Sequence, residues 1–371
     1  MQIKNHPLLS PAIGTKREIT SFHYGPVGLG RKVYVQAALH ADEAPGLLVT
    51  HHLRQTLAKL EQDGKLKCEV VVVPVANPIG LAQWLDHSQI GRFDLLSAEN
   101  FNRHYPDVLD AVATMVTGKL GDDQQQNAVL IRRAMIDTVN AREPKTELAS
   151  LRQALFTLAA DADIVLDLHC DSEAMLHLYT GSPLWDRVEP LARYMGAVAT
   201  LLETTSGEFP FDEACSRTWW LLREKFPAHP IPFGCVSVTV ELRGHVDVTH
   251  RYAGQDTAAI INYLTALDFI DGVAPAMPAL IATATPLAGS ETIETPVSGV
   301  VSFLRELGET IKTGEVVADV TNPITGETIQ LKATIEGIMY ARENRRFAHA
   351  GMRLCKIAGK VAFRTGNLLS A

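Results

Sequence analysis

The alternation of apolar, β-branched runs with helical stretches is the feature that most limits what this chain can fold into. The apolar runs cover 32–39 (KVYVQAAL), 67–78 (KCEVVVVPVANP), 162–170 (ADIVLDLHC) and 235–244 (CVSVTVELRG). Helical patterning is found at 45–62, from about 122 to 160, and at 255–267. A run that is apolar at successive positions is typical of a strand buried on both faces. The repeated alternation therefore predicts an α/β sandwich with a largely parallel or mixed sheet.

The composition changes at residue 271. The segment 271–290 (DGVAPAMPALIATATPLAGS) is rich in Ala and Pro, which indicates a linker or an extended crossover. Short strands and Gly turns follow, and 299–320 resembles 337–357 as a weak internal repeat. We therefore predict a large α/β domain over 1–275. A small, pseudo-symmetric β-barrel or sandwich domain is predicted over 286–371.

Charge and composition exclude several classes of protein. The chain has 34 Lys and Arg against 42 Asp and Glu, a net charge of −8, and it contains no basic block. Nucleic-acid binding needs clustered basic residues, so nucleic acid is not an expected partner. No apolar run reaches the roughly 18 residues that span a bilayer, and the start lacks a secretory pattern. The five cysteines are scattered without a CxxC motif. Together these features predict a cytoplasmic protein without membrane association.

Polar side chains close several of the predicted strands, where open α/β sheets bind their ligands. The first pair is His40, directly after a strand, and Glu43, three residues later (HADE). Imidazole and carboxylate groups on one tight turn suit Zn²⁺. The HxxE pattern is also frequent by chance, and alone it is equally typical of a solvated polar loop.

Two further strand ends carry His169 and Glu241. Alternation places Asp167 on the same face as His169, either behind the imidazole or toward the opposite layer. His169 alone would more commonly be a core histidine bonded to a backbone carbonyl. A carboxylate that closes the run VSVTVE is costly to bury unless it is paired, for example with Arg243, or acts as a general base.

The segment 91–106 (GRFDLLSAENFNRHYP) contains Arg92 and the pair Asn102–Arg103. A guanidinium group binds a carboxylate through two parallel hydrogen bonds, and an adjacent amide adds a donor. These residues are candidates for holding an anionic group of a substrate. An ordinary charged surface loop is the alternative.

The C-terminal region resembles the barrel of biotinyl and lipoyl carrier domains. Carriers present a modifiable Lys at a hairpin tip, but the predicted tip 321–327 (TNPITGE) has none, and Lys332 lies beyond it. A carrier role is therefore disfavoured. We predict a structural module that caps the larger domain.

Taken in chain order, HxxE, an Arg, Asn-Arg, a strand-end His and a strand-end Glu resemble the zinc carboxypeptidase fold. The chain is most similar to its succinylglutamate desuccinylase/aspartoacylase branch, which adds a small C-terminal β domain. The resemblance implies a three-layer α/β/α sandwich with a mixed sheet. It also implies one Zn²⁺ held by His40, Glu43 and His169, with Glu241 as the general base and acid.

The same resemblance implies roles for the remaining candidates. Asn102 and Arg103 would bind the substrate's carboxylate, and Arg92 would polarise the scissile carbonyl. Tyr340 would contact the substrate from the C-terminal domain. Separately from the resemblance, which does not extend to it, the stretch 205–220 (TSGEFPFDEACSRTWW) is predicted to be a specificity loop with a following helix.

The expected function is that of a zinc-dependent amidohydrolase, a deacylase that cleaves an N-acyl amino acid or similar small amide with metal-activated water. A metallocarboxypeptidase acting on small peptides shares every catalytic residue and is the first alternative. A non-catalytic binding or carrier protein is the alternative from another class. The expected partner is a small N-acyl amino acid, and a homo-oligomer is compatible with the sequence.

Overall fold

The structure, a computed structural model, describes residues 1–28 and 30–368. Its α-helices are α1 (Pro45–Gln62), α2 (Pro78–Leu81), α3 (Leu109–Val116), α4 (Gln124–Asn140), α5 (Glu147–Ala159), α6 (Trp185–Met195), α7 (Phe211–Lys225) and α8 (His250–Ala266). The strands of the first part of the chain are β1 (Gln2–Pro7), β2 (Glu18–Tyr24), β3 (Lys32–Ala37), β4 (Glu69–Val73), β5 (Trp84–Leu85), β6 (Ser88–Gln89), β7 (Ile164–Asp171), β8 (Glu173–Ala174), β9 (His177–Gly181), β10 (Ala199–Glu203) and β11 (Val236–Gly244). Those of the last part are β12 (Thr285–Pro286), β13 (Ser290–Glu294), β14 (Gly299–Phe303), β15 (Thr310–Ile311), β16 (Val316–Thr321), β17 (Thr328–Lys332), β18 (Gly337–Arg342), β19 (Phe347–Ala348) and β20 (Arg353–Gly359).

The large sheet is mixed, as the sequence predicts. Its strand order is β1-β2-β4-β3-β7-β11-β9-β10-β12. The central strands β4, β3, β7 and β11 run parallel to one another. Strand β9 is antiparallel to β11, and β10 and β12 continue parallel to β9. The parallel centre brings the carboxyl ends of β3, β7 and β11 to one edge.

Helices cover both faces of this sheet. The core on one face holds residues of α3, α4, α5 and α7, and the core on the other holds residues of α1, α6 and α8. Alternation along β3 sends Tyr34 to the first core and Val33 and Val35 to the second. The predicted three-layer sandwich is confirmed.

Local signals explain where the helices begin. Pro45 occupies the first turn of α1, where its missing N–H costs nothing. The side chain of Thr146 accepts the Ala149 N–H at the start of α5, and Thr249 accepts the Tyr252 N–H at the start of α8. Each such cap contributes about 1 kcal/mol. The predicted helical stretch from about 122 to 160 is a pair of helices, α4 and α5, divided by a short turn.

The C-terminal region consists of two antiparallel sheets, β13-β20-β18-β15 and β17-β16-β14-β19. Each half of the predicted repeat contributes two longer strands with one short strand between them: β14, β15 and β16 in the first half, and β18, β19 and β20 in the second. The short strands are exchanged, because β15 pairs with β18 and β19 pairs with β14. The hairpin between β16 and β17 contains the predicted tip 321–327. The internal repeat in the sequence thus corresponds to a pseudo-symmetric pattern of strand pairing.

This region packs on the edge of the large sheet that carries the strand ends. Strand β18 pairs with β8, and Lys356 Nζ lies 2.5 Å from Asp171 Oδ2. Strand β12 joins the large sheet through β10. The division into 1–275 and 286–371 stays a prediction. No helix within the described residues combines the length and apolar character needed to cross a membrane.

Candidate active site

The site is built at the carboxyl ends of β3, β7 and β11. After β3 ends, Ala38 takes a left-handed backbone conformation (φ 57°), and the Glu43 N–H then donates to the His40 carbonyl (3.1 Å). This tight turn directs both side chains inward before Pro45 starts α1. Strands β7 and β11 are in register with His169 opposite Glu241.

His40, Glu43 and His169 form a buried cluster whose ligand atoms all lie within 4.8 Å of one another. Glu43 Oε1 lies 2.9 Å from His40 Nδ1, and Glu43 Oε2 lies 2.8 Å from His169 Nδ1. The three residues are 4%, 3% and 2% exposed. One carboxylate between two imidazoles is a donor set that suits a divalent cation.

The opposite nitrogens of both imidazoles face oxygen atoms. His40 Nε2 donates to Asn100 Oδ1 (2.8 Å), which also accepts the Asn102 backbone N–H (2.9 Å). His169 Nε2 lies 3.0 Å from Asp167 Oδ2, although this contact is too poorly aligned to count as a hydrogen bond. Metal-binding histidines are commonly oriented in this way, with the outer nitrogen on an amide or carboxylate oxygen. These residues therefore fit a metal ion, and Asp167 lies behind His169 rather than in the opposite layer.

The protonation of the cluster follows from burial and charge. Burial and the Arg92 guanidinium lower the pKa of His40 to about 4. Burial alone would lower the pKa of His169, but Asp167 and Glu43 raise it well above the ordinary value. Burial alone would raise the pKa of Glu43, but the two histidines hold it well below its usual range. Glu43 is thus ionised, and metal binding would release the proton of His169.

Glu241 closes β11 beside the cluster. Its Oε2 atom is fully enclosed and has no hydrogen-bond partner among the described residues. Burial and the nearby Glu43 carboxylate raise the pKa of Glu241 to about 8. The salt bridge to Arg243 that would have explained Glu241 structurally is not formed, because Arg243 pairs with Asp256 at 2.7 and 2.9 Å.

The segment after β6 supplies the basic residues of the site. Arg92 Nη1 lies 3.4 Å from Glu43 Oε1 and 3.3 Å from His40 Nδ1. Arg103 is 4% exposed and donates to the Asn102 carbonyl (2.6 Å). Asn102 Oδ1 accepts the Phe211 N–H (2.8 Å), which ties this segment to the start of α7. Arg92, Asn102 and Arg103 line one cavity together with His40, His169 and Glu241.

Two predicted site residues are not among those that line this cavity: Glu43, which lies between His40 and His169, and Tyr340. Tyr340 is 1% exposed, and its hydroxyl lies 3.0 Å from Ser290 Oγ. Of the described residues, Tyr179 and Lys356 line the cavity beside it. A substrate contact by Tyr340 stays a prediction. Lys356 is the C-terminal residue that the sequence did not single out.

The stretch predicted to form a specificity loop and helix also reaches the cavity. Its lining residues are Ser206, Pro210, Asp212, Glu213, Ser216 and Trp220. The chain enters α7 through Glu208 and Phe209, which both have left-handed backbone conformations (φ 59° and 51°). Burial and the Glu213 carboxylate raise the pKa of Asp212 to about 7.

Comparison with known proteins gives a family match over part of the chain. Residues 29–130 match the family model of the succinylglutamate desuccinylase/aspartoacylase catalytic domain. The match spans His40, Glu43, Arg92, Asn102 and Arg103. The predicted family resemblance is confirmed.

Solved structures of this family share the fold across nearly the whole chain. A succinylglutamate desuccinylase/aspartoacylase family protein from Shewanella amazonensis is 24% identical, with 96% of this chain and 98% of that chain covered and a TM-score of 0.86. A second family protein, from Shewanella frigidimarina, is 21% identical over 96% and 97% of the chains, with a TM-score of 0.84. The ectoine utilization protein EutE from Ruegeria pomeroyi is 15% identical over 97% and 95%, with a TM-score of 0.68. No curated protein matches the chain in sequence. These likenesses confirm the predicted zinc-carboxypeptidase-like fold with its C-terminal β region.

Proposed function

We propose that this protein is a zinc-dependent amidohydrolase that removes the acyl group from an N-acyl amino acid or similar small N-acyl amine. The observation that carries the proposal is the buried His40–Glu43–His169 cluster, with Nδ1 of each imidazole on one carboxylate. The cluster borders a cavity that also holds Glu241, Arg92 and Arg103. The matched family includes deacylases, which supports the same chemistry.

The metal would be held by His40, Glu43 and His169. Asn100 Oδ1 accepts a hydrogen bond from the outer nitrogen of His40, and Asp167 Oδ2 lies 3.0 Å from the outer nitrogen of His169. Both Nδ1 atoms are directed at the carboxylate of Glu43. When bound, Zn²⁺ lowers the pKa of water toward 7 and polarises a carbonyl oxygen.

Glu241 is proposed to move the proton. A carboxylate oxygen at its position takes a proton from the attacking water and later gives it to the nitrogen of the departing amine. One water is thereby consumed, and the products are a carboxylic acid and an amine. Burial raises the pKa of Glu241 toward neutral pH. A group whose pKa lies near the working pH can both accept and return a proton.

The basic residues are proposed to position the substrate. Arg103 and Asn102 bind the carboxylate of the amino-acid part, and Arg92 stabilises the negative charge that develops on the carbonyl oxygen. Arg92 lies within 3.4 Å of Glu43, so its guanidinium group is next to the proposed reaction centre. Leu287 and Lys356, beyond the α/β part of the chain, line the same cavity and narrow it, which favours small amides over peptides.

The test is a kinetic comparison of N-acyl amino acids with dipeptides, with the Glu241→Gln variant defining background hydrolysis. We expect higher kcat/KM values for N-acyl amino acids. A preference for dipeptides would replace the deacylase assignment with a metallocarboxypeptidase. Equal rates for wild type and Glu241→Gln would remove the proposed base.

A further inference from the structure

The cavity of the candidate active site extends along the sheet, away from the metal cluster. Glu241 closes β11, and Thr239 lies two residues earlier on the same face, opposite Tyr179 of β9. Gly181 lies four residues after His177, which is paired with Glu241. At about 3.4 Å per residue, Gly181 is therefore about 14 Å from the level of Glu241 along the strands. Glu241, Thr239, Tyr179 and Gly181 all line the cavity.

Helix α7 forms the opposite wall of the cavity. Asp212, Ser216 and Trp220 follow one another at intervals of four residues, so they share one face of the helix, and all three line the cavity. The Asp212 carbonyl accepts a hydrogen bond from Ser237 Oγ of β11 (2.6 Å). The start of the helix is thereby fixed on the sheet, and Trp220 is the last of the three lining residues.

Trp220 and Gly181 together close the end of the cavity that is remote from the metal cluster. A Cβ atom added at Gly181 would lie 2.9 Å from Cη2 and 3.1 Å from Cζ3 of the indole. The backbone of Gly181 is ordinary (φ −62°, ψ 132°), so the missing side chain serves the close approach of the ring. Trp220 is 6% exposed and belongs to the same apolar core as Leu178 and Leu184. The indole is thus a closely packed barrier.

The proposed carboxylate anchor adjoins the other end of this wall. Asn102 Oδ1 accepts the N–H of Phe211, the first residue of α7 (2.8 Å). In an N-acyl amino acid the carboxylate and the side chain are carried by the same carbon atom, whereas the acyl group lies across the scissile bond. A carboxylate held at Asn102 and Arg103 thus places the amino-acid side chain, rather than the acyl group, next to α7.

We infer that the side chain of the substrate's amino-acid part enters this cavity and that Trp220 sets the longest side chain that is accepted. The inference rests on the proposed function for the bond that is cleaved and for the carboxylate anchor. It goes beyond that function by naming the residue that selects among amino-acid side chains. Trp220 would act on specificity, so its replacement should leave the bound zinc unchanged.

The test measures binding of free, unbranched amino acids to the zinc-loaded protein by calorimetry. The series is alanine, norvaline, norleucine, 2-aminooctanoate and 2-aminodecanoate. In wild type we expect the affinity to rise with side-chain length and then to fall roughly tenfold or more, because a longer chain meets the indole. In Trp220→Ala each added methylene should continue to increase the affinity about fourfold beyond that length, because the chain fills the space of the ring.

Two further variants make the test specific. Trp220→Phe keeps an aromatic ring but is shorter than the indole, so its length limit should lie between those of wild type and Trp220→Ala. Trp84→Ala removes an indole that is 60% exposed on β5, and it should retain the wild-type limit.

The inference would be overturned if none of these amino acids binds, if wild type shows no length limit, or if Trp220→Ala has the wild-type limit. If Trp220→Ala does not fold, Trp220→Phe decides, and an unchanged limit in that variant counts against the inference. A limit displaced only for the acyl chain, measured with N-acyl norvalines of increasing acyl length, would also overturn it.

The kcat/KM values of the N-acetyl derivatives of the same amino acids separate this result from the proposed function. A displaced limit in binding without hydrolysis of any derivative would refute the deacylase alone. Hydrolysis with the same length limit in wild type and Trp220→Ala would refute the role of Trp220 alone.

Discussion

Asp167 offers a sharp test of how the metal ligands are held. The residue is fully buried, its Oδ2 lies 3.0 Å from His169 Nε2, and its Oδ1 accepts from Gln36 Nε2 (3.0 Å). The substitution Asp167→Asn keeps the shape and an oxygen that can face His169, but it removes the negative charge. The change therefore acts on the basicity of the imidazole more than on its position.

Loss of such an outer carboxylate typically weakens metal binding by about 10- to 100-fold, which is about 1.4 to 2.7 kcal/mol. We expect Asp167→Asn to fall in this range because the contact is buried and direct. The assay is competition for Zn²⁺ with a chromophoric chelator at fixed pH. Asp137→Asn, on the surface of α4, is the matched control and should retain wild-type affinity. A folded Asp167→Asn protein with unchanged zinc affinity would refute the proposal that the Asp167 carboxylate strengthens His169 as a metal ligand.

Three further predictions concern the base, the substrate anchor and the pH dependence of stability. Glu241→Gln should lower kcat by roughly 10²- to 10⁴-fold with no loss of bound zinc, measured by steady-state kinetics and elemental analysis; parallel loss of zinc would contradict a role in proton transfer. Arg103→Lys should raise KM for an N-acyl amino acid by roughly tenfold, because the two parallel hydrogen bonds to the substrate's carboxylate are lost. Arg133→Lys on α4 is the control. An unchanged KM in Arg103→Lys would argue against Arg103 as the substrate anchor. The folded-state pKa of Glu241 lies near 8, above its ordinary 4.5, so its contribution to stability is present below pH 4.5 and lost as pH rises toward 8. In metal-free protein, the melting temperature of Glu241→Gln should therefore exceed that of wild type at pH 8 and approach it near pH 5; a constant difference would exclude the raised pKa.

Much of the fold and of the metal cluster could be predicted from the sequence because both depend on strand patterns. Parallel strands share one carboxyl edge, so a polar side chain directly after a buried run has a defined position. That argument placed His40, His169 and Glu241 at strand ends, and the family resemblance then implied their roles. The adjacency of Glu43 to His40 is local in the chain and follows from a single turn.

The remaining site residues depend on contacts that no local pattern encodes. Asn100 lies 60 residues after His40 in an irregular segment, so its bond to His40 is set by how that segment closes. Asp212 gives no periodic signal, because its place is fixed by hydrogen bonds from β11 and from within α7. Only the tertiary structure brings these residues to the cavity.

The contrast between Tyr340 and Lys356 has a specific cause in strand register. Strands β18 and β20 pair Met339 with Ile357 and Ala341 with Lys356, so Tyr340 lies at a register shift between them. A bulge of this kind inserts one residue and changes which side chains face a given surface. Counting along the sequence cannot detect the bulge, so it could not show that Lys356 lines the cavity and Tyr340 does not.

His40, Glu43 and His169 are proposed to hold one zinc ion, and the metal content of the purified protein tests this proposal. Elemental analysis of wild type, His169→Ala and the surface control His51→Ala gives the zinc stoichiometry of each chain. We expect one zinc per chain in wild type and in His51→Ala, and a large loss in His169→Ala. Wild-type protein that takes up no zinc, or His169→Ala protein that retains it fully, would contradict this zinc site.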